Sequence, residues 1–171
     1  AMNWFGPNTP DFRKNYSRQG IAAAKAGLPY NFDNWGGYPV ARSRVFAHAQ
    51  KNDLNLVVVS GDSHNGWAFD LPEDGRPAGV EFGGHSVSSP GIESATAGTD
   101  PNRIARDILA RNTQELRWVD TSNRGYMHLS LTPKAATNNW VFMDTVRTLS
   151  LKTKPGHSLR VRPGRKVLEQ A

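Results

Sequence analysis

Residues 54–66, LNLVVVSGDSHNG, decide the fold. Leu54–Val59 is a short run dominated by β-branched and other apolar side chains, which predicts a strand buried on both faces. Upstream of it, Pro39 suits the first position of a helix, and we expect a helix from Pro39 to about Lys51. A helix that leads into a buried strand predicts an α/β fold.

The remaining elements follow from hydrophobic pattern and turn residues. Five further strands are expected, at Trp67–Leu71, Val80–Val87, Leu116–Asp120, Tyr126–Thr132 and Asn139–Leu149. We interpret the last three as an antiparallel meander. Asp100 and Pro101 have the pattern of an N-cap followed by a first helical residue, and they predict a helix that ends near Asn112.

Length and composition exclude several classes of protein. The 171 residues fit one domain with its own hydrophobic core. Because the chain has no cysteine, disulfides and thiolate ligands are excluded, and any metal must be bound by carboxylate, imidazole, carbonyl or water. No apolar run approaches the roughly 20 residues of a transmembrane helix. The first residues also lack the basic and apolar stretches of a signal peptide.

The chain divides into three segments by composition. Residues 1–37 are rich in Pro, Gly and aromatic residues, and we expect an irregular segment that packs on a surface. Residues 38–151 carry the predicted α/β elements. Residues 152–171 form a basic tail, with six Lys or Arg against one Glu in a chain of net charge +6.

The basic tail offers an alternative function, a module that binds a polyanion. Its candidate contacts are Arg160, Arg162, Arg165 and Lys166. However, residues 159–162 alternate like an edge strand, so these charges could serve only to keep that edge soluble. We do not expect nucleic acid as the partner, because the rest of the chain is nearly neutral.

Asp62 and His64 are the candidate metal ligands. They follow the predicted strand in a glycine-opened turn, and ligand sites in open α/β sheets lie beyond the carboxyl ends of strands. A carboxylate favours hard cations and an imidazole favours transition metals, so the pair could serve two ions of different character. The alternative is that Asp62 caps a turn and His64 is a hydrogen-bonded polar residue.

Four nearby residues are candidates for contacts to substrate or to water beside the metals. Asn65 and Trp67 flank the turn, and Trp67 could form a wall of a substrate pocket. Ser86 and Ser88 could orient phosphate. Alternatively, these serines satisfy local backbone groups and the tryptophan packs against the sheet.

Several separated motifs together resemble the PhoD-like alkaline phosphatases. They are Asn34–Pro39, Val57–Trp67, Val80–Phe82 with Ser86–Gly91, Gly125–Met127 and Trp140–Val146, all in the family's order. Two positions depart from the usual pattern: Gly36 replaces an acidic residue and His85 replaces a less polar one.

The resemblance implies a calcineurin-like metallophosphoesterase with a four-layer α/β/β/α sandwich. It implies iron and calcium as cofactors, phosphate monoesters and diesters as substrates, and a periplasmic or extracellular location. By that resemblance His64 is a ligand of the transition metal, and Asp62 is a ligand of the neighbouring hard ion.

The family's earlier ligand motifs have no counterpart before Trp35. The chain therefore resembles only the C-terminal part of the metallophosphatase domain, and we expect it to be inactive without the N-terminal half. We also expect an open apolar surface that favours self-association. Its expected members are Phe82, Val87, Val119, Trp140 and Phe142.

Overall fold

The computed structural model describes residues 11–28, 32–96, 98–111 and 114–171. Within these ranges it contains three α-helices, α1 Asp11–Lys25, α2 Pro39–Lys51 and α3 Pro101–Arg111, and two short 3₁₀ helices, Trp35–Gly37 and Ile92–Ala95. The strands are β1 Leu56–Ser60, β2 Gly66–Glu73, β3 Arg76–Gly83, β4 Leu116–Asp120, β5 Gly125–Leu131, β6 Ala136–Met143, β7 Thr153–Val161 and β8 Glu169–Gln170.

The first sheet has the strand order β1-β3-β2-β4, and we call it sheet A. β1 runs parallel to β3, whereas β2 is antiparallel to both β3 and β4. The predicted strand after α2 is therefore present, but it is not buried on both faces. Among the described strands β1 is an edge strand of sheet A, and Val59 is 54% exposed.

The second sheet, sheet B, is antiparallel with the order β5-β6-β7-β8. The meander expected from the sequence is wrong at its first strand, because β4 pairs with β2 in sheet A. The strand predicted at Asn139–Leu149 spans Ala136–Met143 instead. It ends there because Asp144 opens a loop, in which its carboxylate accepts hydrogen bonds from Thr145 N and Ser150 Oγ.

The basic segment at residues 152–171 contains the strands β7 and β8. Residues 153–161 form β7, which pairs with β6 along its length. Leu159, Val161 and Leu168 are buried in the main core. The segment is part of sheet B, because its alternate apolar side chains find a partner sheet to pack against.

The N-terminal segment contains α1, a helix that the Pro and Gly content did not predict. Asp11 in its first turn and the run of alanines before Lys25 favour a helix over residues 11–25. The expectation of irregular chain at residues 1–10 and 29–31 lies outside the described residues. So does the predicted helix end at Asn112, one residue beyond the observed end of α3.

The two sheets pack face to face, and α2 covers the other face of sheet A. The core between the sheets joins β3 residues such as Phe82 to Trp140 of β6. A smaller cluster joins Phe46 of α2 to Leu71 and Ala78. The described residues thus form α, β and β layers. The fourth, helical layer on sheet B stays a prediction.

This packing overturns the expected open surface. Phe82, Val119, Trp140 and Phe142 are buried, and of the five expected residues Val87 alone is exposed. Both sheets belong to this chain, so each covers the apolar face of the other. Trp140 adds a polar link, because its Nε1 donates a hydrogen bond to the Gly83 carbonyl at 2.9 Å. Among the described helices we find none with the length and apolar character needed to cross a bilayer.

Candidate metal site

The turn between β1 and β2 carries both predicted ligands at the carboxyl end of β1. Asp62 and His64 have positive φ angles, 68° and 60°. This left-handed conformation is uncommon for residues other than glycine, although aspartate and histidine are among those that adopt it more often than most. Such backbone strain is held in place by surrounding contacts and is concentrated at functional sites in proteins.

His64 is partly buried, and its ring is fixed by a backbone group. Its Nδ1 lies 2.8 Å from the carbonyl oxygen of Pro90. Because a carbonyl only accepts hydrogen bonds, Nδ1 carries the proton and the lone pair is on Nε2. Within the described ranges Nε2 has no protein partner, so it is available to bind a cation.

Asp62 is exposed at the surface of the same turn. In the part of the chain that the structure describes, its carboxylate forms no hydrogen bond or ion pair, so the alternative role as a turn cap is not observed. Both predicted donor atoms are thus free to bind cations. Their convergence on a shared pair of ions stays a prediction.

The two flanking residues contact the turn itself. Trp67 donates a hydrogen bond from Nε1 to Ser63 Oγ at 2.6 Å. Asn65 is 1% exposed, and its Oδ1 accepts a hydrogen bond from Ile92 N at 3.0 Å. These contacts give Trp67 and Asn65 a role in holding the turn, and a contact of either with substrate stays a prediction.

Ser86 satisfies backbone groups close to it in sequence. Its Oγ accepts hydrogen bonds from the amides of Ser88 and Ser89, at 3.3 and 2.8 Å. This is the local arrangement that the sequence left open as the alternative to phosphate binding. Ser88 lies exposed in the same turn.

Sequence reasoning missed two residues behind His64, Arg124 and Glu93. Arg124 is 6% exposed, and its guanidinium donates hydrogen bonds to the His64 carbonyl at 3.1 Å and to the Glu93 carboxylate. Burial tends to raise the pKa of Glu93, but the hydrogen bonds from Arg124 and from Gly91 N outweigh it and lower that pKa below its usual value. No local pattern could have joined positions so far apart in sequence.

A second buried pair lies beneath the turn, and it involves the unusual His85. The His85 side chain is fully buried, with Nε2 at 3.1 Å from Asp120 Oδ1. Burial tends to raise the pKa of Asp120, but the hydrogen bonds from His85 and Asn123 hold it well below its usual value. His85 packs edge-on against Phe142 and Trp118, so it supports the site from the core.

The described residues do not by themselves form a complete metal site. Among them, no group of three or more His, Cys, Asp or Glu side chains is placed to hold an ion. Asp62 and His64 nevertheless have the donor types that calcium and iron favour. The pair therefore fits a partial coordination shell that other residues would complete.

Arg160, Arg162 and Lys166 are paired within the protein. Arg160 and Arg162 both contact the Glu169 carboxylate, at 2.8 and 2.7 Å. Lys166 Nζ lies 2.5 Å from Asp53 Oδ1. These pairs favour the structural interpretation of the charges over the polyanion-binding alternative.

Comparison with known proteins decides the family. The model of the PhoD-like phosphatase family matches residues 10–140. This chain belongs to the PhoD-like phosphatase family. It is 32% identical over 139 residues to alkaline phosphatase D of Bacillus subtilis (strain 168), a match that covers 78% of this chain. The solved structure described as PhoD superposes with a TM-score of 0.64 at 26% identity over 82% of this chain.

The match confirms the family resemblance deduced from the motifs. It also confirms a mixed α/β architecture with two sheets that match the PhoD structure. The chain covers 22% of the Bacillus subtilis phosphatase and 27% of the solved PhoD chain, so it spans about a quarter of these relatives. Its position in the C-terminal part of the family domain stays a prediction.

Proposed function

We propose that this chain is part of a metal-dependent phosphatase or phosphodiesterase, and that it contributes Asp62 and His64 to the metal site. Membership of the PhoD-like family supports the reaction class. The observation that carries the proposal is the hydrogen bond from His64 Nδ1 to the Pro90 carbonyl. It leaves Nε2 unprotonated, which is the form of imidazole that binds metals.

In the proposed site His64 Nε2 would bind iron and the Asp62 carboxylate would bind calcium. When bound, such ions acidify the attacking water and offset the negative charge of the phosphoryl group. The hydrogen bond to the Pro90 carbonyl would keep the proton on His64 Nδ1 while Nε2 holds the ion. The hydrogen bond from Trp67 Nε1 to Ser63 Oγ keeps the indole beside the turn, where it would form a wall of the substrate pocket.

We further propose that this chain is inactive by itself. Two ligands leave the coordination number and geometry of an ion undetermined, so metal binding should be weak. The remaining ligands would come from the N-terminal half of the family domain. No described strand pairs with the outer edge of β1, called the free edge of β1 here, and such an edge is suited to that partner because it offers backbone groups for a further strand.

The proposal includes the other properties that the family resemblance implies. The substrates are phosphate monoesters and diesters, and the location is periplasmic or extracellular. Self-association through the free edge of β1 would compete with binding of the N-terminal half. No observation on the molecule favours the polyanion-binding alternative over these roles.

The test measures hydrolysis of p-nitrophenyl phosphate and bis-p-nitrophenyl phosphate in the presence of iron and calcium. We expect no turnover by the 171-residue chain alone, and turnover once the N-terminal half of a PhoD-like domain is fused to it or added in trans. In the joined protein, His64→Gln should lower kcat/KM by at least about 100-fold, because a metal ligand is lost.

The matched control is His128→Gln, since His128 is exposed on β5 and away from the turn. It should retain the activity of the joined protein. Robust turnover by the chain alone would contradict its proposed inactivity. Full activity of the joined His64→Gln protein would contradict the proposed metal site.

A further inference from the structure

A buried ion pair behind His64 reaches the turn from the opposite sheet. Arg124 precedes β5 of sheet B, whereas His64 follows β1 of sheet A. The Arg124 guanidinium donates hydrogen bonds to the carbonyls of His64 and Asn123 and to the carboxylate of Glu93. Buried ion pairs contribute little net stability compared with apolar residues of similar size. We therefore look for the role of this ion pair in the positions of the groups to which it is hydrogen-bonded.

Glu93 extends this network to the group that binds the His64 ring. Its Oε1 accepts a hydrogen bond from Gly91 N at 2.9 Å. The residue before Gly91 is Pro90, whose carbonyl oxygen lies 2.8 Å from His64 Nδ1. Arg124 therefore contacts the backbone of His64 directly and, through Glu93, the turn that holds the His64 ring.

Asn65 makes a further contact between the turn that carries His64 and residues 90–92. Its Oδ1 accepts a hydrogen bond from Ile92 N at 3.0 Å. A Cβ atom on Gly91 would lie 2.5 Å from Asn65 Nδ2, so the two segments approach too closely for any larger residue there. The geometry of residues 90–92 relative to His64 is thus set by packing and by the ion pair together.

We infer that Arg124 and Glu93 are positioning residues that hold His64 in the Nδ1–H tautomer, with Nε2 presented for a cation. The inference depends on the proposed function only for the identity of the cation. Without the ion pair, the Pro90 carbonyl loses its fixed place relative to the ring. The imidazole can then protonate at either nitrogen, and the fraction with a free Nε2 lone pair falls.

The test is long-range ¹H–¹⁵N NMR of the imidazole rings in the metal-free 171-residue chain, followed by titration with Zn²⁺. His64→Gln assigns the His64 signals among the five histidines. We expect the pure Nδ1–H tautomer in the unmodified chain and a mixture of tautomers in Arg124→Met and Glu93→Ala. The affinity of His64 for Zn²⁺ should fall by about 10- to 100-fold in both variants.

Two further variants separate positioning from a general loss of structure. Glu93→Gln keeps an acceptor oxygen for Gly91 N and Arg124, so it should preserve the tautomer. Arg117→Met removes an exposed arginine that pairs with Asp70 in sheet A, and it should change neither readout. If Arg124→Met does not fold, the contrast between Glu93→Ala and Glu93→Gln decides the outcome.

The inference is overturned if folded Glu93→Ala or Arg124→Met retains the pure Nδ1–H tautomer. It is also overturned if the unmodified chain shows the Nε2–H tautomer. A tautomer that responds to the variants supports the positioning role even where His64 of the isolated chain binds Zn²⁺ only weakly, because two ligands leave the ion poorly held. Full activity of the joined His64→Gln protein, and not weak Zn²⁺ binding by this chain, contradicts the proposed metal site. The two failures are therefore distinguishable.

Discussion

At the scale of single residues, Gly66 is the position where the buried His85 side chain packs directly against the backbone next to the candidate site. A Cβ atom at this position would lie 2.2 Å from Cε1 and 2.7 Å from Nε2 of His85. The His85 side chain is fully buried and hydrogen-bonded to Asp120, so it cannot move aside without losing that bond. A glycine is therefore required where the turn joins β2.

We predict that Gly66→Ala lowers the free energy of unfolding by about 1–3 kcal/mol, because overpacking forces buried groups apart. Urea denaturation followed by circular dichroism measures the change. Gly61→Ala is the control, since a Cβ atom at Gly61 meets no atom within 4 Å. The control should stay within about 0.5 kcal/mol. Equal stability of the two variants would argue against this packing.

At the scale of elements, β7 shows how a strongly basic sequence forms an interior strand. Leu159 and Val161 point into the core between the sheets. Arg160 and Arg162 alternate with them and pair with Glu169 near the end of the chain. This alternation of apolar and basic residues is typical of a strand with one buried face. The high positive charge of the segment makes that pattern harder to recognise in the sequence.

The burial of the C-terminal part of β7 predicts unequal effects for two leucines in the same region. Leu159 is 4% exposed, whereas Leu151 is 91% exposed. Leu159→Ala should lower the free energy of unfolding by about 2–5 kcal/mol, because it leaves a cavity in the core. Leu151→Ala should change it by less than about 0.5 kcal/mol. Similar small effects of both variants, measured in urea, would show that the segment is a solvated tail after all.

At the scale of the whole molecule, the two sheets share one hydrophobic core. Trp140 of β6 packs edge-on against Phe82 of β3, with ring centroids 5.8 Å apart. The same indole donates its Nε1 proton to the Gly83 carbonyl. Because neither sheet can expose its inner face to water without loss of this core, we expect both sheets to unfold together.

Trp140→Phe tests that coupling. The variant leaves the buried Gly83 carbonyl without its donor, which should lower the free energy of unfolding by about 1–3 kcal/mol. Far-UV circular dichroism and tryptophan fluorescence should still report one coincident transition. Trp35→Phe is the control, because Trp35 is exposed and its loss should have little effect. Two separate transitions in either protein would mean that the sheets fold independently.

The sequence by itself determined the features that depend on near neighbours. The apolar run before Ser60 predicted β1, Pro39 predicted the start of α2, and the glycine-opened turn after β1 located the two candidate ligands. These signals are local because strand propensity, helix starts and turns depend on residues a few positions apart. The family followed from motifs of the same local kind.

Tertiary structure alone decided which strands share a sheet, which apolar faces are covered, and what surrounds His64. The placement of β4 in sheet A and the burial of β7 depend on pairing between distant segments. Arg124 reaches His64 across 60 residues of sequence, and Glu93 meets Arg124 across 31. Such contacts have no local pattern, because they form only when the two sheets close on a common core.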